Sequence, residues 1–190
     1  HKIISDLDLF YIKNSNSSSI VITGTNGKST TCKIIEHLLK KNGFKVNLGG
    51  NIGEPVLNFK NNKNTFSIIE ASSFQLAYSK FIKPKYALII NISNDHLDWH
   101  GKMQNYLNSK FKIFKFQKKN DIALLKEKEL IKKFKREKYF SKLKIVSDKK
   151  YRKISDKIKN KYLKIKSNYE NMSFAYQLGK ILKITDSNFI

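Results

Sequence analysis

One stretch constrains this chain more than any other. Ser19-Ile-Val-Ile-Thr23 is a run of strand-forming residues, and it passes directly into Gly24-Thr-Asn-Gly-Lys-Ser-Thr30. From Lys28 to Lys41 the apolar residues Ile34, Ile35, Leu38 and Leu39 recur at helical spacing, and Gly43 is a natural stop. A strand, a glycine-containing loop and a helix in that order form a ready anion site. Gly24 and Gly27 let the backbone curl. Curling turns successive amides of Thr25, Asn26 and Gly27 inward, backed by the positive end of the helix. Lys28 supplies a mobile cation for the outer phosphates of a nucleotide, and Ser29 or Thr30 offers a hydroxyl to Mg²⁺. The common form of this loop has a further glycine where this chain has Ile22.

The surrounding pattern predicts the architecture. Lys45-Val-Asn-Leu, Thr65-Phe-Ser-Ile-Ile-Glu and Tyr86-Ala-Leu-Ile-Ile-Asn read as strands, with helices over Phe74–Lys80 and Met103–Phe116. That alternation predicts an α/β phosphate-loop domain, a mostly parallel sheet flanked by helices. In the second half Asp121-Ile-Ala-Leu-Leu reads as another strand. Lys126–Glu137 reads as an exposed, lysine-rich helix. Residues 138–166 are expected to hold a few short strands, and helical spacing returns from Asn168 to Ile184. Glu70 closes its strand, where phosphate-loop proteins place an acid that holds Mg²⁺ directly or through water.

Charge narrows the function class less than its size suggests. The formal net charge is +23, and it is concentrated in residues 101–190. Only Arg136 and Arg152 are arginines, whereas specific nucleic-acid readout leans on the arginine fork. A solvated lysine face is expected, with no specific nucleic acid as partner. A single cysteine, Cys32, excludes an internal disulfide, and no apolar run is long enough to span a bilayer. A reducing cytoplasmic setting is therefore expected. The chain opens at His1 without an initiator Met and stops soon after a helix start at Asp186, which suggests a piece of a longer protein.

Thr23-Gly-Thr-Asn-Gly-Lys-Ser-Thr30 resembles the ATP loop of the Mur ligases and of folylpolyglutamate synthase. Gly49-Gly-Asn-Ile-Gly53 with Pro55, Glu70-Ala-Ser-Ser-Phe-Gln-Leu76 and Asn91-Ile-Ser-Asn-Asp-His-Leu-Asp98 resemble the D-glutamate-adding branch of the Mur ligases. The resemblance continues through Tyr106 and Lys110-Phe-Lys-Ile-Phe114 and returns at Asn168-Tyr-Glu-Asn171.

It implies an ATP-dependent ligase that joins D-glutamate to UDP-N-acetylmuramoyl-L-alanine through an acyl phosphate, in peptidoglycan precursor synthesis. It implies a linker from a UDP-binding domain over residues 1–17, a central ATP-binding domain over 18–184, and the start of a link to a third domain over 185–190. The full-length enzyme would be a monomer. The resemblance also implies roles for single residues. His96 and Lys110 would join Lys28 as catalytic groups, with two Mg²⁺ ions held by Ser29, Glu70, His96 and a Lys110 carbamylated by CO₂. Asn51, Ser72 and Gln75 would line the substrate side, and Asn168 and Asn171 the adenine side. Where the family usually has a histidine, this chain has Ser167. Other readings are another ligase of the same superfamily, a phosphate-loop kinase or ATPase, and a lysine-rich nucleic-acid binder.

Overall fold

The computed structural model describes residues 3–14, 18–60 and 64–190. Helix α1 (Asp6–Lys13) opens on a reciprocal cap: the Ser5 hydroxyl accepts from the Asp8 amide, and the Asp8 carboxylate accepts from the Ser5 amide. Strand β1 (Ser18–Thr23) leads through the glycine loop into α2 (Lys28–Lys41), which ends at Asn42 and Gly43. Next come β2 (Lys45–Gly50), β3 (Thr65–Glu70), the short α3 (Ser73–Tyr78) and β4 (Tyr86–Ile89). They are followed by α4 (Leu97–His100), α5 (Met103–Lys115) and β5 (Ile122–Leu125). The remainder is α6 (Lys128–Arg136), β6 (Lys142–Ile145), α7 (Asp148–Ser155), α8 (Lys161–Lys164), α9 (Tyr169–Ile181) and α10 (Asp186–Phe189).

The strands form one sheet in the order β2-β3-β1-β4-β5-β6, every neighbouring pair parallel. This bears out the expected α/β architecture. Because both faces of a parallel sheet are covered, its central strands carry apolar residues on both faces. Alternate residues go to opposite layers. Val21, Ile69, Ala87, Ile89 and Ala123 meet α1, α3, α5 and α6 through Phe10, Leu76, Phe111, Phe114 and Phe134. Ile20, Ile22, Ile68, Leu88, Ile90 and Leu124 meet α2 and α9 through Ile35, Leu39, Phe174 and Leu178. β1 lies between β3 and β4, so the loops leaving β1, β3 and β4 emerge side by side at one edge. Open parallel sheets bind their ligands at such an edge.

Two segments differ from the sequence expectation. α6 is not simply exposed: Leu130 and Phe134 are buried, with the Phe134 ring 5.1 Å edge-on from Phe114, and the Lys133 amine lies over the Phe111 ring. Residues 138–166 contain one strand, β6, and the helices α7 and α8, where several short strands were expected. α7 buries Tyr151 and Ile154 three residues apart, a helical spacing masked by the basic residues around them. β6 is an edge strand whose exposed Lys142 discourages further pairing. Among the described residues no helix is long and apolar enough to cross a membrane, and Cys32 is buried.

Candidate active site

The phosphate loop sits at the mouth formed by β1, β3 and β4. Its amides are partly occupied by the protein itself. Thr25 N–H donates to the Asn91 carbonyl at 3.0 Å, and Asn26 N–H donates to Asn91 Oδ1 at 2.9 Å. Asn91 Nδ2 in turn donates to the Asn26 carbonyl at 3.2 Å. The anion-facing amides are therefore those at the start of α2, which lack intrahelical partners as at any helix N-terminus. Gly27 has φ +79°, and a Cβ there would collide with Asn171 Oδ1. That close approach is why the position needs glycine. Lys28 folds back along the loop, its Nζ donating to the carbonyls of Thr25 at 2.8 Å and Gly24 at 3.2 Å.

Glu70 ends β3 beside the loop and is 1% exposed. Its Oε2 accepts from Ser29 Oγ at 2.8 Å and its Oε1 from Asn51 Nδ2 at 2.9 Å. The Gly49-Gly50 turn makes this convergence possible. Asn51 N–H donates to the Glu70 carbonyl at 2.9 Å, and a side chain on Gly50, whose φ is +104°, would strike that same oxygen. An exposed hydroxyl beside a carboxylate suits Mg²⁺, a hard cation that takes few protein oxygens and keeps waters and phosphate oxygens as its other ligands. Among the described residues no three His, Cys, Asp or Glu side chains are grouped as a metal cluster. Thr30 lies partly buried on the first turn of α2.

Lys110 is brought to the same place from α5. Its side chain is 1% exposed, and its Nζ donates to the Gly24 carbonyl at 2.8 Å and Thr23 Oγ1 at 3.3 Å. The amine also stands 4.6 Å from the centroid of the Tyr106 ring. Burial, reinforced by the charge of Lys28, pulls its pKa from 10.5 down to about 7. The chain thus holds an amine that is substantially neutral at physiological pH against the phosphate loop. Both of its hydrogen bonds are donations, to the Gly24 carbonyl and Thr23 Oγ1.

His96 lies at the turn before α4 in the left-handed conformation, φ 50° and ψ 34°, and is about half exposed. Its Nε2 is 3.4 Å from Asp95 Oδ2, and its ring lies 4.7 Å from Phe74 and 6.4 Å from Tyr106. Lys110 and His96 therefore share the Tyr106 ring as a neighbour. Tyr106 is fixed by its hydroxyl contact with Thr25 Oγ1 at 3.0 Å.

Ser72 and Gln75 form the reciprocal cap of α3. Gln75 N–H donates to Ser72 Oγ at 3.2 Å, Ser72 N–H and Oγ each donate to Gln75 Oε1 at 3.1 Å, and Gln75 Nε2 reaches Asp6. Asn168 and Asn171 are also buried and bonded within the protein. Asn171 Oδ1 accepts from Thr31 Oγ1 at 3.1 Å, Asn171 Nδ2 donates to Asn168 Oδ1 at 3.2 Å, and Asn168 Nδ2 donates to the Tyr162 carbonyl. One cavity reaches the loop and a second lies against the start of α9. An apolar groove of ≈ 630 Å³ starts at Ser29 and Thr30 and runs past Ile34, Leu163 and Met172. A cleft of ≈ 750 Å³ with charges of both signs is bounded by Lys126, Arg152 and Lys166 and by Asp148 and Glu170.

Sequence reasoning missed Asn91, Glu170 and His100. Asn91 and Glu170 stand inside the motifs Asn91–Asp98 and Asn168–Asn171, with no role of their own expected for either. His100 is buried with an unpartnered Nε2, its ring stacked 5.8 Å from Phe74. Burial, then Lys110 and His96, holds its pKa below the ordinary histidine value. No local sequence signal marks a histidine as buried.

Comparison with known proteins identifies the family. UDP-N-acetylmuramoylalanine--D-glutamate ligase from Rickettsia felis is 46% identical over 123 residues, 65% of this chain and 27% of that protein. The enzyme of the same name from Nitratidesulfovibrio vulgaris is 36% identical over 128 residues, 66% of this chain and 30% of that protein. The chain thus spans less than a third of the length of these curated relatives. Among solved structures, the MurF ligase of Thermotoga maritima in complex with ADP superimposes with a TM-score of 0.55 at 26% identity, covering 73% of this chain and 35% of that one. MurF from Acinetobacter baumannii shares the fold at a TM-score of 0.67 and 12% identity, covering 97% and 46%. The pattern of the Mur ligase middle domain matches residues 22–186, spanning the phosphate loop, Glu70, His96, Lys110 and the α9 asparagines, and the chain belongs to that family.

Proposed function

We propose that this chain is the ATP-binding central domain of a cytoplasmic ligase that adds D-glutamate to UDP-N-acetylmuramoyl-L-alanine. The observation that carries the reading is the Lys110 amine, buried against the Gly24 carbonyl of the phosphate loop with its pKa lowered to about 7. An ordinary phosphate-loop ATPase has no use for such a group. The D-glutamate specificity rests on the relatives named above. The 1–17, 18–184 and 185–190 division and the monomeric state rest on the family resemblance.

In this reading Lys28 and the first amides of α2 hold the outer phosphates, because a carboxylate must approach a polyphosphate and the site must gather positive charge. Lys28 leaves its loop carbonyls to do so. Ser29 and Glu70 would hold one Mg²⁺, which neutralises phosphate charge when bound. The neutral Lys110 amine attacks CO₂, forms an N–C bond and releases a proton. The resulting carbamate is an anion that, with His96, would hold a second Mg²⁺. Asn51, already on Glu70, orients the substrate side, and α9 with Asn168 and Asn171 supports the adenine side. The substrate carboxylate takes the γ-phosphoryl group, and the amine of D-glutamate then displaces phosphate to leave the amide.

The test is amide formation by the full-length protein from ATP, Mg²⁺, UDP-N-acetylmuramoyl-L-alanine and a panel of amino acids. D-glutamate is the expected acceptor. Lys110→Ala is expected to stop ligation nearly completely, and Lys110→Glu, which restores an anion, to do less harm. Equal turnover with L-alanine or a diamino acid would reject the D-glutamate assignment, and full activity of Lys110→Ala would remove that lysine from the chemistry. The 190-residue chain alone is expected to form no product. Without partner domains the reactants are not held in register, an effect worth up to about 7–11 kcal/mol.

A further inference from the structure

The first turn of α9 grips the phosphate loop at two points. Asn171 meets Gly27 and Thr31, as described above. Glu170, its neighbour, acts at the other end of the loop through Asn91. Glu170 Oε2 accepts from Asn91 Nδ2 at 2.7 Å, and the same Nδ2 donates to the Asn26 carbonyl. Since both hydrogens of that amide are then engaged, Asn91 Oδ1 faces the Asn26 N–H and accepts from it. The carboxylate of Glu170 therefore selects which way the Asn91 amide points, and that choice fixes both polar groups of the Asn26 residue in the loop.

The charge of Glu170 is compensated on its far side. Lys126 Nζ lies 3.1 Å from Glu170 Oε1 and 2.9 Å from Asp148 Oδ2. The three side chains are each between a quarter and a third exposed, so the pair is braced more firmly than a free surface ion pair. Glu170 also sits in the first turn of α9, where the helix dipole favours an anion. A carboxylate so near a phosphate site would repel an anion if it were unpaired. Cross-bracing by Lys126 leaves it free to hold Asn91.

We infer that Glu170 is a positioning residue for nucleotide binding, acting through Asn91 to preset the Asn26 segment of the phosphate loop. The inference rests on the reading of this loop as an ATP site. It extends that reading to a residue that touches no nucleotide and to a helix far along the chain from the loop.

The experiment is calorimetric titration of Mg·ATP and Mg·ADP into the full-length protein and three variants, with thermal melting of each in parallel. Wild type is expected to bind both nucleotides. Glu170→Ala is expected to melt close to wild type while its Kd rises about tenfold, the effect of losing a hydrogen bond to a charged group. Asn91→Asp keeps the acceptor for Asn26 N–H but sets a second carboxylate against Glu170, and is expected to weaken binding at least as much. Asn91→Asp combined with Glu170→Gln replaces that repulsion by an amide able to donate to Asp, and is expected to recover part of the affinity lost in Asn91→Asp, the Asn26 carbonyl still lacking its donor. Such recovery requires the two side chains to act on each other, which general destabilisation does not produce. In steady state the defect should fall on the KM for ATP and leave kcat largely unchanged. Unaltered affinity in Glu170→Ala, or no recovery in the double variant, overturns the inference. If Glu170→Ala fails to fold, the comparison of Asn91→Asp with the double variant decides alone. Failure of wild type to bind either nucleotide rejects the ATP reading itself.

Discussion

Replacing Lys110 by Met should change the pH dependence of stability in a direction fixed by the structure. In the folded chain burial lowers the pKa of Lys110 from 10.5 to about 7, with Lys28 adding repulsion. At about 1.4 kcal/mol per pH unit, that fall amounts to about 5 kcal/mol disfavouring the charged form. The side chain is 1% exposed, so solvent screening removes little of it. Below pH 7 the folded and unfolded chains both carry the proton, and the whole cost is present and constant. Between pH 7 and 10.5 the unfolded chain keeps a proton that the folded chain has released, so the cost is progressively relieved and stability rises with pH. Met has no such proton. Urea denaturation of both proteins at pH 6, 7, 8 and 9, in CO₂-free buffer, gives the difference between them, in which titrating groups not coupled to Lys110 cancel and His100, which Lys110 influences, contributes only toward the acid end. That difference should be flat from pH 6 to 7. It should then move in favour of wild type by about 2–3 kcal/mol between pH 7 and 9. A difference independent of pH across the whole range would show that Lys110 keeps an ordinary pKa and would remove the reason for expecting a reactive amine there.

Three further perturbations follow from particular contacts. Gly27→Ala forces an L-residue into φ +79° and drives its Cβ into Asn171; a loss of about 2–4 kcal/mol, divided between urea stability and Mg·ADP affinity, is expected, and unchanged values of both would contradict the tight approach. Asp8→Ala strips the acceptor from the amides of Ser5, Lys80 and Phe81; it should cost about 3–5 kcal/mol in denaturation while leaving activity per folded molecule intact, and a stability within 1 kcal/mol of wild type would refute the buried-anchor account. Glu70→Ala should raise the Mg²⁺ concentration needed for half-maximal ATP turnover, because the hydroxyl of Ser29 loses its carboxylate neighbour; an unchanged Mg²⁺ dependence would count against that pair as a metal site.

The parts legible in the sequence were those written as contiguous chemistry. The strand into Thr23, the Gly24–Thr30 loop and α2 follow from periodicity and glycine spacing, and Glu70 from its place at a strand end. Lys110 was marked only by resemblance, since three lysines stand close together in α5 and nothing local tells the buried one from the others. The Asn91 clasp and its partner Glu170 join distant segments, and no local pattern encodes that pairing. Asp8 and Tyr11 had no evident purpose in the sequence, yet Asp8 anchors the turn before β4 and the Tyr11 hydroxyl donates to Ser19 beneath β1. In residues 138–166 the surplus of lysine flattened the apolar rhythm. There Tyr151, Ile154 and Ile158 form a small core with Met172 and Tyr176 that only the folded chain reveals.

The two amines at the loop share an acceptor: Lys28 and Lys110 both donate to the carbonyl oxygen of Gly24. An anion that draws Lys28 outward withdraws one positive neighbour from Lys110 and relaxes the repulsion that helped depress its proton affinity. By reciprocity, whatever changes the charge on Lys110 must change how tightly that anion is held. One peptide oxygen thus makes proton binding and phosphate binding a single thermodynamic cycle, in which occupancy of the loop can be followed as protons taken up or released.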